Sequence, residues 1–76
     1  AITIDPSDAD AWNSKGNSLD ALKKYEEAIL AYEHAITIDP SDADAWNSKG
    51  DSLNSLGKSD EAKKCHDKAK ELEDED

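Results

Sequence analysis

AITIDPSDADAWNSKG, residues 1–16, returns without a change at residues 35–50. An identity that long at an offset of 34 residues is an internal repeat, not an accident of composition. A unit of this length is one supersecondary element that cannot bury its own apolar face and must stack on a neighbour. The other halves have diverged. NSLDALKKYEEAILAYEH (17–34) and DSLNSLGKSDEAKKCHDK (51–68) share only Ser, Leu, Leu, Lys, Glu and Ala at equivalent places. One half of the unit is fixed, and the other becomes polar in its second copy.

Hydropathy spacing turns this repeat into helices. Asp5-Pro6-Ser7-Asp8 and Asp39-Pro40-Ser41-Asp42 separate elements, because the residue before proline avoids the helical region. Ser7 with Asp10, and Ser41 with Asp44, have the spacing of a capping box with a shortened acid. Trp12, Gly16, Leu19 and Leu22 then share one helical face, which predicts a helix over residues 8–22. Lys23-Lys24 forms a turn. Tyr25, Ala28, Ile29, Tyr32, Ala35 and Ile36 make a wide apolar stripe, with Glu26, Glu27, Glu33 and His34 opposite, in a second helix ending near Ile38. The plan repeats with Trp46, Gly50, Leu53 and Leu56, a left-handed stop at Gly57, and a last helix near Ser59–Glu73. That helix keeps only Ala62, Cys65, Ala69 and Leu72 as its apolar stripe. Where the second helix has Ile29, Tyr32 and Ile36 it has Lys63, His66 and Lys70. These changes remove the outer apolar surface a following repeat would need, as in the capping units of repeat arrays. The expected organisation is a remnant of a preceding repeat end at 1–8, repeat one at 9–42, repeat two at 43–72 with a polar capping helix, and a fraying acidic tail at 73–76. The fold class is all-α: four helices in two antiparallel helix-turn-helix repeats, stacked as a short α-solenoid.

The charge narrows the partners. The net charge of −10 is spread evenly, three lysines against seven acids in residues 1–34 and six against twelve in 35–76. Such acidity disfavours a phosphate backbone or an anionic membrane as partner, since both need clustered Lys and Arg. A protein or peptide partner should be neutral or basic. Cys65 is the single cysteine, which rules out a disulfide scaffold and suits a reducing, cytoplasmic setting. No apolar run reaches the roughly 20 residues a membrane helix needs, and no secretory signal stands out. The chain opens on Ala1 instead of Met, as expected for a fragment or a processed product.

No catalytic constellation appears, and no cofactor is implied. Cys65 and His66 are adjacent on a helix and point about 100° apart, which suits packing better than a shared metal. His34 is expected at the surface. The acidic turns fail as calcium loops, because counting from Asp42 puts Trp46 at position five and Asn47 at position six, where an oxygen ligand and glycine are required. Capping and helix-dipole complementarity explain these aspartates.

The motif residues resemble the tetratricopeptide repeat family, whose signature runs over 34 residues as tryptophan, leucine-glycine, tyrosine, alanine, phenylalanine and proline. With position one at Ala9, the chain supplies Trp12, Gly16, Ala28, Tyr32, Ala35 and Pro40, then Trp46, Gly50, Ala62 and Ala69. Leu19 and Leu53 replace the tyrosine, Lys15 and Lys49 the leucine before glycine, His66 the aromatic, and Asp74 the closing proline. Physically, the two glycines and the facing Ala28 and Ala62 permit close helix approach, and the tryptophans should fill the space so created.

The resemblance implies a non-enzymatic protein-interaction module. In that family the first helix of each unit lines a groove for an extended peptide, facing it with positions two, five, six, nine and twelve. Here these are Asp10, Asn13, Ser14, Asn17 and Asp20, then Asp44, Asn47, Ser48, Asp51 and Asn54. They include asparagines but no base, so the carboxylate clamp of some family members does not carry over. The alternative is self-association. Two repeats fall short of the three usually needed, and an uncovered first helix would present an apolar patch to a second copy.

Overall fold

The computed structural model describes residues 8–74. They form four helices, α1 (Ala9–Ala21), α2 (Tyr25–Ile38), α3 (Ala43–Ser55) and α4 (Ser59–Asp74), with no strand among them. The expectations placed on residues 1–7, the remnant and the Ser7 cap included, lie outside the described residues, as do Glu75 and Asp76. Glu73 and Asp74 belong to α4, so the acidic tail begins inside the helix.

Each hairpin pairs its own helices, α1 with α2 and α3 with α4, and α2 also packs on α3, while α1 and α3 touch at their edges. The described residues fill a slab of 37 × 31 × 15 Å. The buried side chains are mostly small: Ala28, Ala31, Ala35, Ala45, Ala62 and Ala69, joined by Tyr32, Leu53, Cys65 and Ser52.

Within each hairpin the two helices meet at a glycine. A methyl group added at Gly16 would lie 2.5 Å from Tyr32 Cε1, and one at Gly50 would lie 2.6 Å from His66 Cδ2. The space over each glycine is thus filled by the ring at the equivalent place of the second helix, not by tryptophan. Trp12 and Trp46 are only half-buried. Trp46 packs against Leu53, Ala62 and Cys65 with Ile29, and its indole N–H donates to the Pro40 carbonyl at 3.0 Å. Tyr32 and His66 therefore point back into their own repeats, which the stripe alone did not reveal.

Asp8 caps α1, and Asp42, not Ser41, caps α3. Asp42 Oδ1 accepts from the backbone N–H of Asp44 at 3.1 Å and of Ala45 at 3.4 Å, and Asp8 makes the same pair with Asp10 and Ala11. Ser41 instead donates its N–H and hydroxyl to Asp39 Oδ1, at 3.2 and 2.7 Å, tightening the turn after α2. Leu22, expected on the buried face, is the residue after α1 and is 66% exposed.

The helix ends expose a conflict between sequence and backbone. Lys23 has φ 63° and its counterpart Gly57 has φ 81°. Both close the same motif, in which Lys24 and Lys58 donate to the carbonyls of Leu19 and Leu53 at 2.9 Å. Glycine adopts this conformation freely, whereas a side chain there costs about 1–2 kcal/mol. Lys23→Gly should therefore raise stability by about 1 kcal/mol after the entropy lost to a freer unfolded chain, and Gly57→Lys should lower it by a similar amount. Urea denaturation of the two variants would read these opposite shifts in midpoint. Gly16→Ala should cost about 1–2 kcal/mol, overpacking against Tyr32 outweighing the better helix propensity of alanine, and the same titration measures it.

Candidate functional site

The ten residues expected to face a peptide all lie on α1 and α3, and four of them, Asn13, Asn17, Asp20 and Asn47, are already engaged in side-chain hydrogen bonds that hold the helices together. The Tyr32 hydroxyl donates to Asn17 Oδ1 at 2.7 Å. Ser52, fully buried, donates its hydroxyl to Asp20 Oδ1 at 2.9 Å, tying α3 to α1. Asn13 Nδ2 reaches Asp42 Oδ2 at 3.5 Å, and its Oδ1 is buried without a hydrogen-bond partner. In the second repeat Asn47 Oδ1 lies 3.2 Å from His66 Nδ1, which makes that nitrogen the donor. His66 Nε2 lies 3.4 Å from Asp51 Oδ1, an ion pair when the ring carries its second proton but not a hydrogen bond in geometry.

The pattern follows the repeat. Asn17 meets Tyr32 as Asp51 meets His66, each partner being 34 residues from its equivalent. Asp10, Ser14, Asp44 and Asn54 are exposed, and Ser48 is half-buried. Asp10 and Asp44 also sit in the first turns of α1 and α3, where helix dipoles favour negative charge. Tyr32, Asp42, Ser52 and His66 were missing from the expected set. The 34-residue equivalence was the signal that could have joined the two aromatic positions to the two asparagine columns.

A second feature lies on the other side of α3. A cleft of about 580 Å³ opens between α2, α3 and α4, floored by Ile29, Trp46, Leu53 and Cys65. Lys49 stands at its rim, its ammonium 3.2 Å from Glu33 Oε2 and 5.7 Å from the centre of the Trp46 ring. Lys15 repeats the placement over Trp12 at 5.2 Å, and His34, exposed as expected, stacks on the same indole with ring centres 4.3 Å apart. The lysines that replace the family's leucine thus lie over aromatic faces, where a cation is attracted by the ring quadrupole. Among the described residues no three His, Cys, Asp or Glu side chains gather as metal ligands, and no helix is long and apolar enough to cross a membrane.

Two hairpins of one pattern, set side by side through a shared middle helix, define a helical-repeat solenoid. The comparisons identify which kind. A family profile described as tetratricopeptide repeat matches residues 9–42, and a second so described matches residues 31–64. The chain belongs to the tetratricopeptide repeat family. No curated protein matches it. Among similar solved structures, one titled "Crystal structure of MamA" superposes with a TM-score of 0.85 at 37% sequence identity, covering 88% of this chain. This chain spans 39% of that one.

Two buried groups give the fold an alkaline limit. Burial pushes the Tyr32 hydroxyl above its usual pKa, helped by the Asp20 charge and opposed by the Ser48 and Ser52 hydroxyls. Burial likewise pushes the Cys65 thiol up, with Lys49 acting against it and Glu61 and Glu33 with it. Both folded values exceed the unfolded ones, so the neutral forms favour the folded state. That stability is full below the unfolded pKa values, about 8.5 for cysteine and 10 for tyrosine, and is lost as pH rises through the folded ones. Tyr32→Phe should cost about 1 kcal/mol at pH 7 through the lost bond to Asn17. The deficit relative to the parent chain should shrink above about pH 10, as read from denaturation midpoints across the pH series.

Proposed function

We propose that the chain is a non-enzymatic protein-interaction module whose α1/α3 layer receives an extended peptide that is basic or neutral and rich in hydrogen-bonding groups. The observation that carries this reading is electrostatic. The ten groove positions hold Asp10, Asp20, Asp44 and Asp51 and not one lysine. A surface of one sign attracts partners of the other and repels its like. Family membership supports the class of function, and the hydrogen bonds described above sort the residues within it. Asn17, Asp20 and Asn47 hold the scaffold, whereas Asp10, Ser14, Asp44 and Asn54 are exposed and offer oxygen and amide groups to a ligand.

Peptides of matched length, one rich in lysine and one in aspartate, would be titrated into the labelled protein at low and high salt. The lysine-rich peptide should shift the amide signals of Ser14, Asp44 and Asn54, and its binding should weaken as salt screens the charges. Asp44→Asn should weaken it a further few-fold. Equal binding of the acidic peptide, or shifts confined to the other side of α3, would rule the reading out.

A further inference from the structure

α1 and α3 differ in sequence at Asn17 against Asp51, Asp20 against Asn54, and Ala21 against Ser55. Each helix thus keeps one carboxylate in its later half, at exchanged positions. The exchange brings both charges to bear on the buried Tyr32 hydroxyl, whose proton they help to hold. The two helices touch only at their edges, and Ser52 closes that seam. It is fully buried, and its hydroxyl donates to Asp20 Oδ1 at 2.9 Å. A buried hydroxyl has to find a partner, and this one finds it on the other repeat. The bond holds the half-buried Asp20 carboxylate in one orientation. Among the described residues its Oδ2 accepts no hydrogen bond, and no lysine lies within ion-pair distance of it. Asn54, the equivalent residue of α3, is exposed and uncharged.

We infer that Asp20 is the residue that selects a lysine or arginine at one position of the bound peptide, and that Ser52 is its positioning residue, acting from the next repeat. This rests on the reading of the α1/α3 layer as a peptide surface and adds which group discriminates there. A carboxylate on a free surface side chain gains little from a cation, because ordering both chains and solvent screening offset the attraction. Asp20 is already ordered by Ser52, and its half-buried setting screens it less. One oxygen holds the seam, and the other is left to meet an ammonium or guanidinium group. Asp10 and Asp44, exposed in the first turns of their helices, draw a basic peptide in but do not choose the residue that docks.

Two peptides of matched length test this on the full chain, one with a single lysine among neutral polar residues and one with norleucine in its place. Anisotropy reads affinity, and amide shifts read location. The parent chain should prefer the lysine peptide about tenfold, as a hydrogen bond between charged groups allows, and should keep most of that preference at high salt. Asp20→Asn, which still accepts from Ser52, should reduce the preference to about twofold or less. It should leave norleucine binding and the denaturation midpoint unchanged. Ser52→Ala should lower the preference about threefold without changing norleucine binding, and should have no further effect in the Asp20→Asn chain. Ser52→Thr, which keeps the hydroxyl, should restore it. Ser52→Cys, a weak donor of similar size, replaces the alanine variant if that chain loses its helicity. A lysine preference that survives Asp20→Asn would overturn this inference alone. Equal losses for both peptides in Ser52→Ala would overturn the positioning role of Ser52. Failure of both peptides to bind the parent chain would overturn the peptide reading together with this one.

Discussion

Everything in this fold depends on the ring that lies against a glycine. Tyr32 over Gly16 and His66 over Gly50 set how near the two helices of each hairpin can come, and a single methyl group would not fit between them. That approach explains why the buried residues are mostly alanines. Helices this close leave little depth, and small side chains fill it at the density of a protein interior. Large side chains are consequently displaced to the margins, where Trp12 and Trp46 sit half-buried beneath a lysine each.

The same ring links packing to the face available for binding. Tyr32 bonds to Asn17 and approaches Ser48 and Ser52, so one side chain fastens its own hairpin and addresses the next. His66 keeps the place over glycine but turns its two nitrogens toward Asn47 and Asp51. The second repeat therefore preserves the internal geometry while its outer surface becomes ionic. Under the proposed reading, recognition falls to the polar groups left over once these ties are made.

Much of this was legible in the sequence, and the exceptions share a cause. Helix bounds followed from proline, glycine and period, and α2 begins and ends where its apolar stripe does. The misreadings came where two residues compete for one role, or where a role depends on a neighbouring unit. Ser41 and Asp42 are both good caps, and only the three-dimensional turn frees Asp42 for the helix by giving Ser41 to Asp39. Leu22 fits a helical stripe, but the helix stops one residue earlier. The expected groove columns were assigned by position alone. Which members are engaged elsewhere was hidden, because partners such as Tyr32 and Ser52 come from other helices.

The place of α2 between α1 and α3 has a consequence for how the molecule opens. α4 packs chiefly on α3, with Ile29 of α2 reaching its edge, whereas α2 and α3 are each held from two sides. In a quasi-one-dimensional stack each helix is stabilised only by its neighbours, so opening starts at an end and runs inward. α4, the most polar helix, peels away at lowest free energy, and backbone amides of α2 and α3 are the last to exchange their hydrogens with solvent. The inner pair of helices is the kinetic keystone of a chain whose ends open first.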